Sequence, residues 1–148
     1  MIDIGTLKSR YIAMNGVRPI PSKVLTAITS DLGLQLPLDF LDIGKFFDGS
    51  GINVIPLYSL AGNAPTMNPM SETLRLRNVI GLPSNWLVLG EPPESLLLMD
   101  CAAAGRVIWI DSIDAKRIAS QSFTNQPTSW NSFGEFFEYL LDEEEVDR

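Results

Sequence analysis

Two apolar runs near the middle of the chain, Leu96 to Met99 and Val107 to Ile110, limit the folds open to this sequence. Neither run alternates apolar with polar residues. A strand that is apolar on successive residues must be covered on both faces, as in the middle of a sheet. The short connection Cys101 to Gly105 ends in glycine and joins Ser95–Asp100 to Arg106–Asp111, which predicts a hairpin. Its register sets Asp100 opposite Arg106 and Asp111 opposite Ser95, so a cross-strand Asp100–Arg106 ion pair is expected. Asp100 and Asp111 then lie at opposite ends, on the order of 17 Å apart at about 3.3 Å per residue. That separation is too large for an acid–base pair.

The remaining elements follow from local pattern. Trp86 to Gly90 reads as a third strand, and Ile113 to Ile118 as a short edge strand. Ile52 to Leu60 is rich in β-branched and large apolar residues but is interrupted by Pro56, which predicts a strand at a sheet edge. Gly62 to Pro69 reads as a loop. Helical spacing occurs in Ile2 to Asn15 (Leu7, Tyr11, Met14) and in Ser22 to Leu32 (Val24, Leu25, Ile28, Leu32), the latter ending at Gly33. Leu36-Pro37 opens a third helix whose buried side is Phe40, Leu41 and Phe47, and Asp48-Gly49-Ser50-Gly51 stops it. Ser71 to Ile80 reads as a short helix.

The clearest helix is the last. Ser132 and Glu135 have the spacing of a capping box, and Phe133, Phe136, Phe137, Leu140 and Leu141 follow at helical intervals. Helices, strands and a final helix in that order predict an α+β domain. The expected sheet is mainly antiparallel, of about four to six strands, flanked by N-terminal helices and a C-terminal helix. One domain over residues 1–148 fits the length, and no internal repeat or domain-separating linker occurs. Hydrophobic residues make up 45% and charged residues 20% of the chain, a globular and not a disordered composition.

Composition also restricts chemistry. The chain has no histidine and one cysteine, Cys101. Ser-His-Asp triads, Cys-His pairs, His-based zinc sites and multi-cysteine metal sites are therefore closed, as is an internal disulfide. No glycine-rich nucleotide loop is present. Asp111 and Asp114 could share a cation, but hard cations want about six oxygens. No catalytic residue, cofactor or metal is expected. A basic start followed by an apolar stretch is missing and the longest apolar runs are far too short for a bilayer, so the expected location is the cytoplasm. Trp86 and Trp109 fall within strand patterns and read as core, whereas Trp130 is expected to be partly exposed.

The net charge of −7 is unevenly placed. Glu135 to Arg148 holds seven acids and one base, whereas residues 1–134 hold eleven acids and ten bases. The body is nearly neutral and one end is acidic. Nucleic acid is an unsuitable partner, since phosphate binding needs a basic patch, and the basic pairs Arg75/Arg77 and Lys116/Arg117 read as solvated surface. The acidic end suits a basic protein partner, and acids near a helix C-terminus oppose the macrodipole, which hints at a use beyond stability.

Leu36-Pro37-Leu38-Asp39-Phe40-Leu41 followed by Phe46-Phe47-Asp48-Gly49 resembles the "LP-x-DY/DF … F-x-x-x-NG" segment of the SUKH superfamily, which includes bacterial immunity proteins and the yeast cell-wall-assembly regulator. The later parts match in order: Trp86 to Gly90, Leu96 to Asp100, Gly105 to Ile110, and a closing Ser132 to Leu141 helix similar to the family's terminal helix. The resemblance covers about residues 22–141, leaving the acidic end 142–148 outside. The sequence departs from the pattern in turns: Asp48 stands for the usual Asn, and Gly90 to Glu94 and Cys101 to Ala104 are unusual. The resemblance implies an α+β fold and a bacterial immunity protein that binds and neutralises a cognate toxin domain, often a nuclease, by occluding its active site. The alternative is a regulatory or scaffold module of the same fold with a non-toxin cellular partner. Leu36, Pro37, Phe40 and Gly49 would then be scaffold. The residues expected to meet a basic partner, on charge grounds, are Glu138, Asp142, Glu143, Glu144 and Glu145. A monomer or weak homo-oligomer is expected, and no membrane contact.

Overall fold

A computed structural model of the chain describes residues 2–62 and 68–148. The two unbroken apolar runs become the middle strands of a four-stranded antiparallel sheet, ordered β1-β2-β3-β4. The strands are β1 (Trp86–Gly90), β2 (Ser95–Asp100), β3 (Arg106–Asp111) and β4 (Thr128–Trp130). Asp100 pairs with Arg106 and Ser95 with Asp111, the register expected from the sequence. The ion pair expected from it does not form. Asp100 Oδ1 instead accepts from Asn85 Nδ2 at 2.8 Å and from the Ala102 amide at 2.9 Å, which ties the carboxylate to its own turn.

Both faces are covered over the middle of the sheet. Leu87, Leu89, Leu97, Met99 and Val107 pack into one core with residues of α1 (Ile4–Asn15), α2 (Ser22–Leu32), α3 (Leu38–Ile43) and α5 (Phe133–Asp147). Trp86, Val88, Leu96, Leu98, Ile108 and Ile110 form a second, smaller core on the other face. Leu76 of α4 (Pro69–Ile80), Leu82 and Ile118 complete it. The chain is thus an α+β domain with N-terminal helices and a C-terminal helix. No described helix is long and apolar enough to cross a membrane.

Three segments differ from the sequence-based expectation. Residues 52–60 form no strand. They bury Ile52, Ile55 and Leu60 by side-chain packing, while Pro56 lacks the N–H a ladder would need. One backbone bond, Tyr58 N–H to Leu89 C=O at 3.0 Å, holds the segment against β1. There the Pro56 carbonyl comes so close to Gly90 that a Cβ would overlap it, so residue 90 must be glycine. The Thr73 hydroxyl of α4 also accepts from Val88 N–H at 3.0 Å, so β1 presents no open edge to solvent.

Residues 112–117 form a 3-10 helix, not an edge strand. Ile113 is 71% exposed and Asp114 is buried, the reverse of what an apolar-in strand would give. The outer strand is β4, whose three residues carry too little alternation to be read locally. The third helix ends at Ile43, and Phe47 is buried from the turn that follows. Two helices start elsewhere than their patterns suggest. Asp3 caps α1, its side chain accepting from Thr6 N–H, so the helix begins at Ile4. Asn68 caps α4 with Pro69 in its first turn, two residues before the expected start. The central part of the loop expected over Gly62 to Pro69 lies outside the described residues.

Phe137 joins the helices to one another. Its ring lies 4.7 Å from Phe47, 5.8 Å from Phe46 and 6.0 Å from Tyr11, centroid to centroid. It is fully buried. Phe137→Ala is expected to lower stability by about 3–5 kcal/mol, read as a shift of the urea midpoint with the slope unchanged.

Candidate partner-binding surface

The polar surface of α5 is set by its buried side. Ser132 accepts from Glu135 N–H at 3.1 Å, as the capping pattern predicts. The Glu135 carboxylate reaches back to Asn131 N–H at 2.9 Å, one residue before the cap. Asp39 of α3 adds a carboxylate at the same helix end, accepting from Gly134 N–H at 2.7 Å, where the macrodipole favours negative charge. With the start fixed, Phe133, Phe136, Phe137, Leu140 and Leu141 all point inward.

The same phase divides the acidic end into three groups. Glu144 stands seven residues after Phe137 and therefore on the buried face, with 2% of its surface exposed. Its Oε1 accepts from Asn53 N–H at 2.6 Å and Val54 N–H at 3.2 Å, and its Oε2 from Arg148 Nε at 3.2 Å. Glu144 is an internal acceptor for a segment with no strand ladder, and it does not lie on the surface where a partner would find it. The spacing 137, 140, 141, 144 was the signal for this, and the run of acids around it concealed it.

Asp142 and Glu145 face α1. Arg10 places Nη2 2.7 Å from Asp142 Oδ1 and 2.7 Å from Glu145 Oε1, with Nε 3.0 Å from Glu145 Oε2. The fork geometry suits a guanidinium. The Arg10 hydrogen bond holds the Glu145 carboxyl below its usual range, and Glu145 in turn raises the Arg10 pKa. No local pattern joins residue 10 to residue 145.

Glu138 and Glu143 are exposed, and among the described residues no cation pairs with either. They do not form one patch, since five residues along a helix place them well apart around the axis. Glu143 stands beside an aromatic pair: Trp130 of β4 and Tyr139 of α5 lie 5.1 Å apart, both half-buried. Burial, and then the Glu143 charge, push the Tyr139 hydroxyl up. Trp130 is partly exposed, as the polar stretch around it suggests. Trp86 is buried, while Trp109 is only half-buried and donates Nε1–H to Ser95 Oγ at 2.7 Å.

The other candidate groups do not converge. Asp114 is buried and accepts from Thr124 N–H at 2.8 Å and Asn125 N–H at 3.2 Å, chiefly the former holding its carboxyl below the usual range. Asp111 accepts from the Asn125 side chain instead. Among the described residues no group of three or more His, Cys, Asp or Glu could hold a metal. Burial, with Asp100 adjacent, pushes the Cys101 thiol up to about 12, which suppresses the nucleophilic thiolate. No protein-family model matches the chain, and no curated protein matches it in sequence.

Two neighbouring acids on α5 should behave oppositely. Glu144→Ala leaves two amides without their acceptor and is expected to lower stability by about 1–3 kcal/mol. Glu143→Ala should change it by about 0.5 kcal/mol or less. Urea unfolding of both variants checks this.

Proposed function

We propose that the protein is an immunity protein of the SUKH type, which binds a cognate toxin domain in the cytoplasm and blocks it by covering its active cleft. The observation that carries this reading is the ordered run of motifs and the scaffold work each one does. Leu36 and Phe40 are core residues, Pro37 is the N-cap of α3, and Gly49 has φ 95° with the Tyr58 carbonyl where a Cβ would lie. The strands and closing helix that complete the resemblance are the sheet and α5. Such a scaffold leaves the surface free to vary with the partner.

Binding and not catalysis is the activity that this surface supports. Histidine is missing, the cysteine is held as a thiol, and Asp100, Asp114 and Glu144 are engaged by amides of the fold. The outward carboxylates Glu138 and Glu143 would steer a basic domain toward α5, raising the association rate and excluding acidic competitors. Asp142 and Glu145 contribute less, because Arg10 offsets one of their two charges.

The test is capture of a partner by the tagged full chain from source-cell lysate, followed by expression of that partner alone and together with this chain. A basic domain that arrests growth alone, with growth restored by co-expression, is the expected result. A partner whose expression is harmless would contradict it and point to the regulatory alternative. Against the captured domain, Glu138→Gln with Glu143→Gln should slow association about threefold or more and flatten its salt dependence.

A further inference from the structure

Ser95, Trp109, Asp111 and Thr128 occupy one face of the sheet, because Ser95 pairs with Asp111 and Trp109 with Thr128. Farther along the strands the same face carries Leu97, Met99 and Val107, buried with the helices. The change from apolar to polar residues marks the end of the sheet that the helices leave uncovered. A trough of about 810 Å³ opens there, and no residue of α5 lines it.

The trough is braced from within the fold. The Trp109 ring is fixed at its edge by the 2.7 Å bond to Ser95 Oγ. Asp111 is oriented by the Asn125 side chain, and Asn125 is itself held by the hydrogen bond its backbone N–H donates to buried Asp114. A carboxylate buried in this way needs hydrogen bonds to compensate its desolvation. Here the compensating amides are those of Thr124 and Asn125, and Asn125 is the residue that orients Asp111. The second oxygen of Asp111 accepts from no described residue.

Charge selects the occupant. The lining holds two carboxylates, Glu94 and Asp111, and neither lysine nor arginine. This local excess is separate from the acidic end of the chain, and residues 1–134 are otherwise close to neutral. Ile113, 71% exposed, adds an apolar wall beside the carboxylates. A guanidinium fits all three features. It stacks on an indole, pairs with a carboxylate through parallel N–H bonds, and brings an aliphatic stem for the isoleucine.

We propose that this trough receives an arginine side chain presented by a protein partner, with the guanidinium against Trp109 and Asp111. The site lies away from the α5 carboxylates and would serve a toxin or any other partner, so it stands or falls separately from the immunity reading. The probe is N-acetyl-argininamide, titrated into the full chain and followed through the indole and side-chain amide N–H signals by NMR. The Trp109 indole and Asn125 amide signals should shift saturably while the Trp86 indole stays fixed. Asp111→Asn and Glu94→Gln should each weaken binding about fivefold or more, with the urea midpoint retained. The neutral citrulline counterpart should bind at least about tenfold more weakly. No saturable shift at Trp109, equal binding of the citrulline compound, or unchanged affinity in both variants would overturn the proposal. Tighter binding of putrescine than of the arginine probe would also overturn it, by reassigning the trough to a free polyamine.

Discussion

The packing of Phe137 against Tyr11, Phe46 and Phe47 is the contact on which the rest of the structure depends. It joins α5, α1 and the turn after α3, which are far apart in sequence, at one buried point on the sheet. The aromatic rings meet at tilted and edge-on angles, the geometry their quadrupoles favour. Tyr11 is buried with them, and its hydroxyl donates to the Ser50 carbonyl at 2.8 Å. Burial, and then the nearby Asp48, push that hydroxyl up to about 12, so it stays protonated and keeps donating across the ordinary pH range. The same bond anchors the glycine-flanked turn from which residues 52–60 depart.

Fixing the apolar side of α5 fixes its charged side as well. A run of acids that looks uniform in sequence becomes an internal acceptor at Glu144, a clamp on Arg10 at Asp142 and Glu145, and free carboxylates at Glu138 and Glu143. The internal acceptor compensates the fold where residues 53 and 54 have no ladder partner. The clamp ties the two ends of the chain together and, being half-exposed, contributes only modestly to stability. The freely solvated charge is therefore much smaller than the net charge of the helix. A partner recognised through this surface would need contacts beyond α5, and the trough at the end of the sheet offers them in a different place.

Elements whose pattern is long and self-contained were legible in the sequence: the central hairpin with its register, α2, and the aromatic ridge of α5. Residues 52–60 were misread because apolar, β-branched composition reports burial and not a ladder, and Pro56 with Gly90 replaces pairing by close packing. The segment after β3 was misread because Ile113 and Ile118 are five apart, a spacing that suits neither a strand nor a long helix. β4 could not be seen at all in three residues. Of the candidate site, the exposure of Glu138 and Glu143 could be read, and the burial of Glu144 was present in the helical spacing. The Arg10 clamp and the Asp114–Asn125–Asp111 chain depend on long-range or loop geometry that no local pattern encodes.

Native-state hydrogen exchange read amide by amide tests most directly whether α5 closes the core and carries Glu144 inward. Amides from Phe136 to Leu141 should open only with those of β2 and β3, through global unfolding. The Asn53 and Val54 amides should be protected although they belong to no helix or strand. Free exchange at Asn53 and Val54, or opening of α5 well below the free energy of the sheet, would contradict this structure of the charge and of the core.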